Sequence, residues 1–105
     1  MSSTPTIIGD QFEAVRQLCR HHHVARLELF GSAANGQFDL ENSDLDFLVD
    51  FAPLSPADRA DAYFGLLADL QDLFQREVDL VEVQAIDNPY FKQSVDATRT
   101  VVYAA

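Results

Sequence analysis

The run Leu45-Asp46-Phe47-Leu48-Val49-Asp50-Phe51 constrains this chain more than any other stretch. Past its start it is apolar on both faces, which is the pattern of a central strand covered from above and below. Such a strand needs neighbours on both edges. Val24 to Phe30, VARLELF, supplies one, with Leu27 and Leu29 on one face. Val78 to Val83, VDLVEV, supplies another. Thr100 to Tyr103 is β-prone, and its state stays open. With 105 residues there is room for one core and not for two.

Helical signals fall between these strands. Residues 1–9 read as a flexible N-terminus, and residues 10–105 as one domain. Asp10 and Glu13 have the spacing of a capping box, and Phe12, Val15, Leu18 and Cys19 follow on one face. His21-His22-His23 ends that helix, where imidazole complements the helix dipole. A short helical turn is expected between Gly31 and Gly36, then a loop to Ser43. Ser55 is an N-cap with Pro56 at the first helical position, and the helix runs to Phe74. Its apolar stripe is read as Ala60, Phe64, Leu67, Leu70 and Phe74. Asn88-Pro89 opens a last helix to Thr98. The order predicts a small α/β or α+β domain, with helices covering a short sheet.

Charge and cysteine content exclude several classes. Seventeen acidic residues against seven basic ones give a formal net charge of −10, which repels a nucleic-acid backbone. That balance suits a divalent cation or a basic protein partner, or serves solubility alone. No apolar run reaches the roughly 18–20 residues of a membrane span, and residues 1–5 lack the features of a signal peptide. A cytoplasmic location is therefore expected. Cys19 is the one cysteine, which excludes an internal disulfide and a cysteine zinc site. It fits a buried helical position.

Two segments carry candidate chemistry. In LFGSAANG, Leu29 to Gly36, a strand runs into Gly31-Ser32. Gly31 permits a tight turn and a close approach, and the amides that follow, with the Ser32 hydroxyl, can face an anion. In SDLDFLVDF, Asp44 and Asp46 stand two apart on the same strand face, with Cα atoms about 7 Å apart. Two like charges at the edge of an apolar face repel each other, and a divalent cation such as Mg²⁺ relieves this. Asp79 holds the corresponding place near the start of its own strand. If the two strands are neighbours it completes a three-carboxylate cluster, able to orient or deprotonate an attacking hydroxyl. Each segment also has a plain structural reading, as a strand-to-helix turn and as exposed loop carboxylates.

Taken in order, LFGS, SDLDFLVDF and EVDLVEV resemble the minimal nucleotidyltransferase (MNT) domain of the DNA polymerase beta superfamily, over residues 10–105. The resemblance implies an α+β nucleotidyltransferase fold, a short mixed sheet flanked by helices. It implies that Gly31 and Ser32 hold nucleotide phosphates, that Asp44 and Asp46 bind Mg²⁺, and that Asp79 is the third carboxylate. It further implies transfer of AMP from ATP to a hydroxyl, and a HEPN ribonuclease toxin as partner, with this chain as antitoxin and a toxin tyrosine as acceptor. Ala33-Ala34-Asn35 replaces the basic residue frequent after Gly-Ser, and the loop from Ser32 to Asp44 is about one residue longer than the common form. Arg76, Lys92 or a partner residue are the candidates to supply that charge.

Two alternatives accompany this expectation: an antitoxin of the same fold that neutralises its toxin by contact alone, and a small-molecule nucleotidyltransferase. A hetero-complex or oligomer is expected, with Phe38, Phe51, Tyr90 and Phe91 as candidate surface. Asp50 reads as structural and Glu82 as solvent-facing. Tyr63, Tyr90 and Tyr103 read as packing residues.

Overall fold

The computed structural model describes residue 9, residues 11–31 and residues 45–105. Helix α1 (Phe12–His21) leads into strand β1 (Val24–Phe30). Strand β2 (Leu45–Phe51) is followed by α2 (Pro56–Phe74), β3 (Val78–Glu82), a single 3₁₀ turn (Val83–Ala85), α3 (Pro89–Thr98) and β4 (Thr100–Ala104). The sheet order is β3-β2-β1-β4. β2 runs antiparallel to β1 and parallel to β3, and β4 closes antiparallel on β1. The sheet is therefore mixed, and β2 has a partner on each edge, as its apolar pattern requires.

Alternation splits the sheet into two faces. Leu27, Leu29, Leu45, Phe47, Val49, Val78 and Leu80 point to one side. There they meet Val15 and Cys19 of α1 and Ala62, Leu66, Leu70 and Phe74 of α2, in one continuous core. On the other side Phe30 and Leu48 meet Val95 of α3 in a much smaller cluster. No helix among the described residues is long and apolar enough to cross a membrane.

Local signals set most boundaries. The Ser55 hydroxyl accepts from the Asp58 amide at 3.2 Å, with Pro56 opening α2. The Asn88 carboxamide accepts from the amides of Tyr90 and Phe91 at the start of α3. α1 ends at His21, and His23 turns the chain with φ of 60°. The β-prone tail is the edge strand β4.

Three expectations need adjustment. Gln11 occupies the N-cap of α1 without a side-chain bond, and the Glu13 carboxylate accepts from Arg16 at 3.2 Å. Asp10 lies outside the described residues. β3 stops at Glu82, where Val83 enters the 3₁₀ turn. The buried stripe of α2 is the i, i+4 row Ala62, Leu66, Leu70 and Phe74, so Ala60 and Phe64 face solvent. Two contacts fix this rotation. His22 bonds Asp69 at 2.7 Å, in space that a side chain at Gly65 would fill at 2.7 Å from His22 Cε1. On the next face, the Tyr63 hydroxyl donates to the Leu80 carbonyl at 2.6 Å.

Candidate active site

Strand register brings two of the expected residues, Asp46 and Asp79, side by side. Phe30 of β1 pairs with Asp46 of β2, and Asp46 pairs with Asp79 of β3. Adjacent strands stand about 4.8 Å apart, so the two carboxylates are lateral neighbours. Asp46 shares the face of Leu48, and Asp79 alternates with the core residues Val78 and Leu80. Both therefore point to the α3 side of the sheet. Asp46 is half-buried and Asp79 exposed. Pairing of β2 with β3 starts at once, because the Leu45 amide donates to the Glu77 carbonyl at 3.2 Å. Asp44 and Ser32 lie outside the described residues.

Gly31 follows β1 with φ of +76°, in the left-handed region. A Cβ there would lie 2.6 Å from Asp46 Oδ2. Glycine is thus required twice, by backbone conformation and by the carboxylate beside it. The Gly31 amide is already engaged, donating to Thr98 Oγ1 at 2.9 Å. A cleft of about 490 Å³ opens here, lined by Phe30, Gly31, Asp46, Tyr63, Leu67, Asp79 and Phe91 among others.

The donor set is hard oxygen. Two carboxylates on adjacent strands, with no side chain at Gly31 to intrude, suit Mg²⁺, which takes one or two carboxylates and keeps the rest of its shell for water and phosphate. Among the described residues no three His, Cys, Asp or Glu side chains converge on a metal position. The described lining contains no Arg or Lys. Lys92 pairs with Asp96 at 2.9 Å, and neither it nor Arg76 lines the cleft.

Tyr63, expected only to pack, stands in this cleft. Burial raises the pKa of its hydroxyl, and the negative charges of Glu82 and Asp79 raise it further. The phenol therefore stays protonated while it holds the Leu80 carbonyl. Glu82 is not free in solvent; Arg59 Nε donates to it at 2.8 Å. Asp50 lies at the far end of β2, where Gln84 approaches it at a long 3.5 Å. Cys19 is fully buried, and burial pushes its thiol up to about 12.

Of the candidate surface residues, Phe51 belongs to the core and Phe38 lies outside the described residues. Tyr90, 82% exposed, and Phe91, 40% exposed, remain at the surface. Thr98 and Glu28 carry no local sequence signal. Their importance comes from partners far along the chain.

Residues 12–101 match the model of the nucleotidyltransferase domain. The chain belongs to the nucleotidyltransferase domain family. Among relatives of this nucleotidyltransferase is the "Putative protein adenylyltransferase MJ1379" of Methanocaldococcus jannaschii, 33% identical over 75 residues, which cover 71% of this chain and 73% of that protein. A solved structure of a "putative minimal nucleotidyltransferase" is 31% identical with a TM-score of 0.64, covering 89% of this chain and 90% of the other. The fold also matches a chain of the tri-AMPylated Shewanella oneidensis HEPN toxin in complex with MNT antitoxin, at 20% identity and a TM-score of 0.63, covering 92% of this chain and 72% of that one. The mixed sheet with its flanking helices is the minimal nucleotidyltransferase fold.

Proposed function

We propose that this nucleotidyltransferase moves AMP from ATP onto a tyrosine hydroxyl of a HEPN toxin and acts as its antitoxin. The register that sets Asp46 beside Asp79, with Gly31 against the Asp46 carboxylate, carries the proposal. The AMPylated toxin in the S. oneidensis complex and the protein-adenylyltransferase name of the archaeal relative support the choice of acceptor class.

Asp44 and Asp46 would hold Mg²⁺, with Asp79 as the third carboxylate. When bound, the cation neutralises charge on the triphosphate and on the departing pyrophosphate. Asp79, the most exposed described carboxylate of the group, orients the acceptor hydroxyl and takes its proton. The hydroxyl oxygen bonds the α-phosphorus as the bond to the pyrophosphate oxygen breaks. Ser32 would contact the phosphates. Gly31 contributes its missing side chain, since its amide is held by Thr98. The net charge of −10 favours docking onto a basic, RNA-handling partner.

Intact mass spectrometry tests this. The protein is co-purified with the product of its neighbouring gene and incubated with Mg²⁺ and ATP. The partner should gain one or more AMP units, and the Asp44→Ala/Asp46→Ala double variant should add none. A stable complex that silences the partner with no mass change would replace the enzyme by a contact antitoxin.

A further inference from the structure

The Gly31 turn is held from the opposite end of the chain. Three consecutive residues at the α3–β4 junction grip the last part of β1, each by a different kind of bond. Thr98 Oγ1 accepts from the Gly31 amide at 2.9 Å. Arg99 forks onto Glu28, donating from Nε to Oε2 at 2.8 Å and from Nη2 to Oε1 at 2.7 Å. Thr100 pairs with Leu29 in the antiparallel ladder. Glu28 is only 2% exposed and also accepts from Arg26 at 3.0 Å, so the anchor is a buried carboxylate held by two guanidinium groups. Arg99 is further tied to Asp96 at 2.7 Å.

Strand pairing alone does not hold Gly31, which follows the last residue of β1. Its amide finds its partner in Thr98, and its Cα faces the Asp46 carboxylate so closely that a methyl group would collide. A shift of a few tenths of an ångström in the turn is therefore felt directly at Asp46 Oδ2. The large core lies on the other face of the sheet and cannot supply this restraint.

We infer that Thr98 is a positioning residue: by accepting the Gly31 amide proton it sets the turn that fixes the Asp46 carboxylate. Its link to catalysis rests on the function proposed above; the link from Thr98 to Asp46 does not.

The test therefore reads both. In the unaltered chain, the Gly31 amide should exchange with solvent at least about tenfold more slowly than an unbonded amide, as one hydrogen bond requires. An unprotected Gly31 amide overturns the inference before any variant is made. Thr98→Val keeps the side-chain shape and removes the acceptor. It should speed Gly31 exchange, move the Asp46 carboxyl-carbon resonance, and weaken Mg-ATP binding by about tenfold in calorimetry. Thr98→Ser restores the hydroxyl and should restore all three. If Thr98→Val leaves the Asp46 carbon unmoved, Thr98 only packs and the inference falls. If the unaltered chain fails to bind Mg-ATP, the proposed function falls, while the Asp46 resonance still decides the role of Thr98. Should Thr98→Val not fold, Thr98→Ala and the exchange rate in the unaltered chain decide between the same two outcomes.

Discussion

The two faces of the sheet are built on different principles. Under α1 and α2 the strands present Leu27, Leu29, Leu45, Phe47 and Val49 to a continuous apolar layer. Under α3 they present Phe30 and Leu48 to Val95, and beside these Glu28, Asp46 and Asp79. Hydrophobic burial is roughly proportional to area and indifferent to direction. The first face therefore stabilises the fold with little demand on geometry beyond close packing. The second buries a charge that needs its guanidinium partners in place, and holds two carboxylates side by side. The lesson is a division of labour: one face supplies the stability that lets the other keep repelling groups together.

That contrast is open to direct attack. Phe47→Ala strikes the first face at a fully buried ring and should have the largest effect, a loss of about 3–5 kcal/mol in urea unfolding. A loss below about 1 kcal/mol would mean that the apolar face does not carry the fold. Gly31→Ala strikes the second face. With φ of +76° and Asp46 Oδ2 at 2.6 Å, it should cost about 1–3 kcal/mol. It should also abolish Mg-ATP binding, as measured by calorimetry, where Phe47→Ala acts only through stability.

Glu28→Gln should be the mildest, at about 1–2 kcal/mol near neutral pH, and it carries a pH signature. The bond from Arg99 lowers the Glu28 pKa below its ordinary 4.5, against the opposing effect of burial. The folded value thus lies below the unfolded one. The charged pair's contribution is complete above about 4.5 and is lost as pH falls through the folded value. The stability difference between the two forms, followed by unfolding from pH 7 downward, should therefore narrow once the pH falls below about 4.5. Parallel curves would mean that Glu28 acts through shape alone.

What the sequence disclosed follows the range of the forces involved. The doubly apolar run of β2, the Ser55-Pro56 and Asn88-Pro89 helix starts and the buried Cys19 depend on neighbours a few residues away, and each can be read directly. The placement of Asp46 and Asp79 at equivalent points near their strand starts foreshadows their pairing in register. Periodicity places Leu70 and Phe74 of α2 correctly but puts Ala60 and Phe64 in the stripe wrongly, because it gives a pattern but not a rotation. The His22–Asp69 and Tyr63–Leu80 contacts set that rotation across 47 and 17 residues. Tyr63 reads as packing because its cleft is not local to it, and Glu82 reads as solvent-facing because Arg59 is distant in sequence. Thr98 and Glu28 stay invisible for the same reason: 67 and 71 residues separate them from Gly31 and Arg99.

The separation of Gly31 from Thr98 also orders events in time. Gly31 is made early, and its amide must wait for a residue synthesised 67 positions later. At ordinary translation speeds of about 5–20 residues per second, the interval is roughly 3–13 s. During it the nascent chain already contains Asp46, and later Asp79, but has no hydroxyl with which to close the Gly31 turn. The carboxylate-bearing face is thus assembled from segments 67 residues apart, and the Gly31 turn is fastened only after Thr98 has been made.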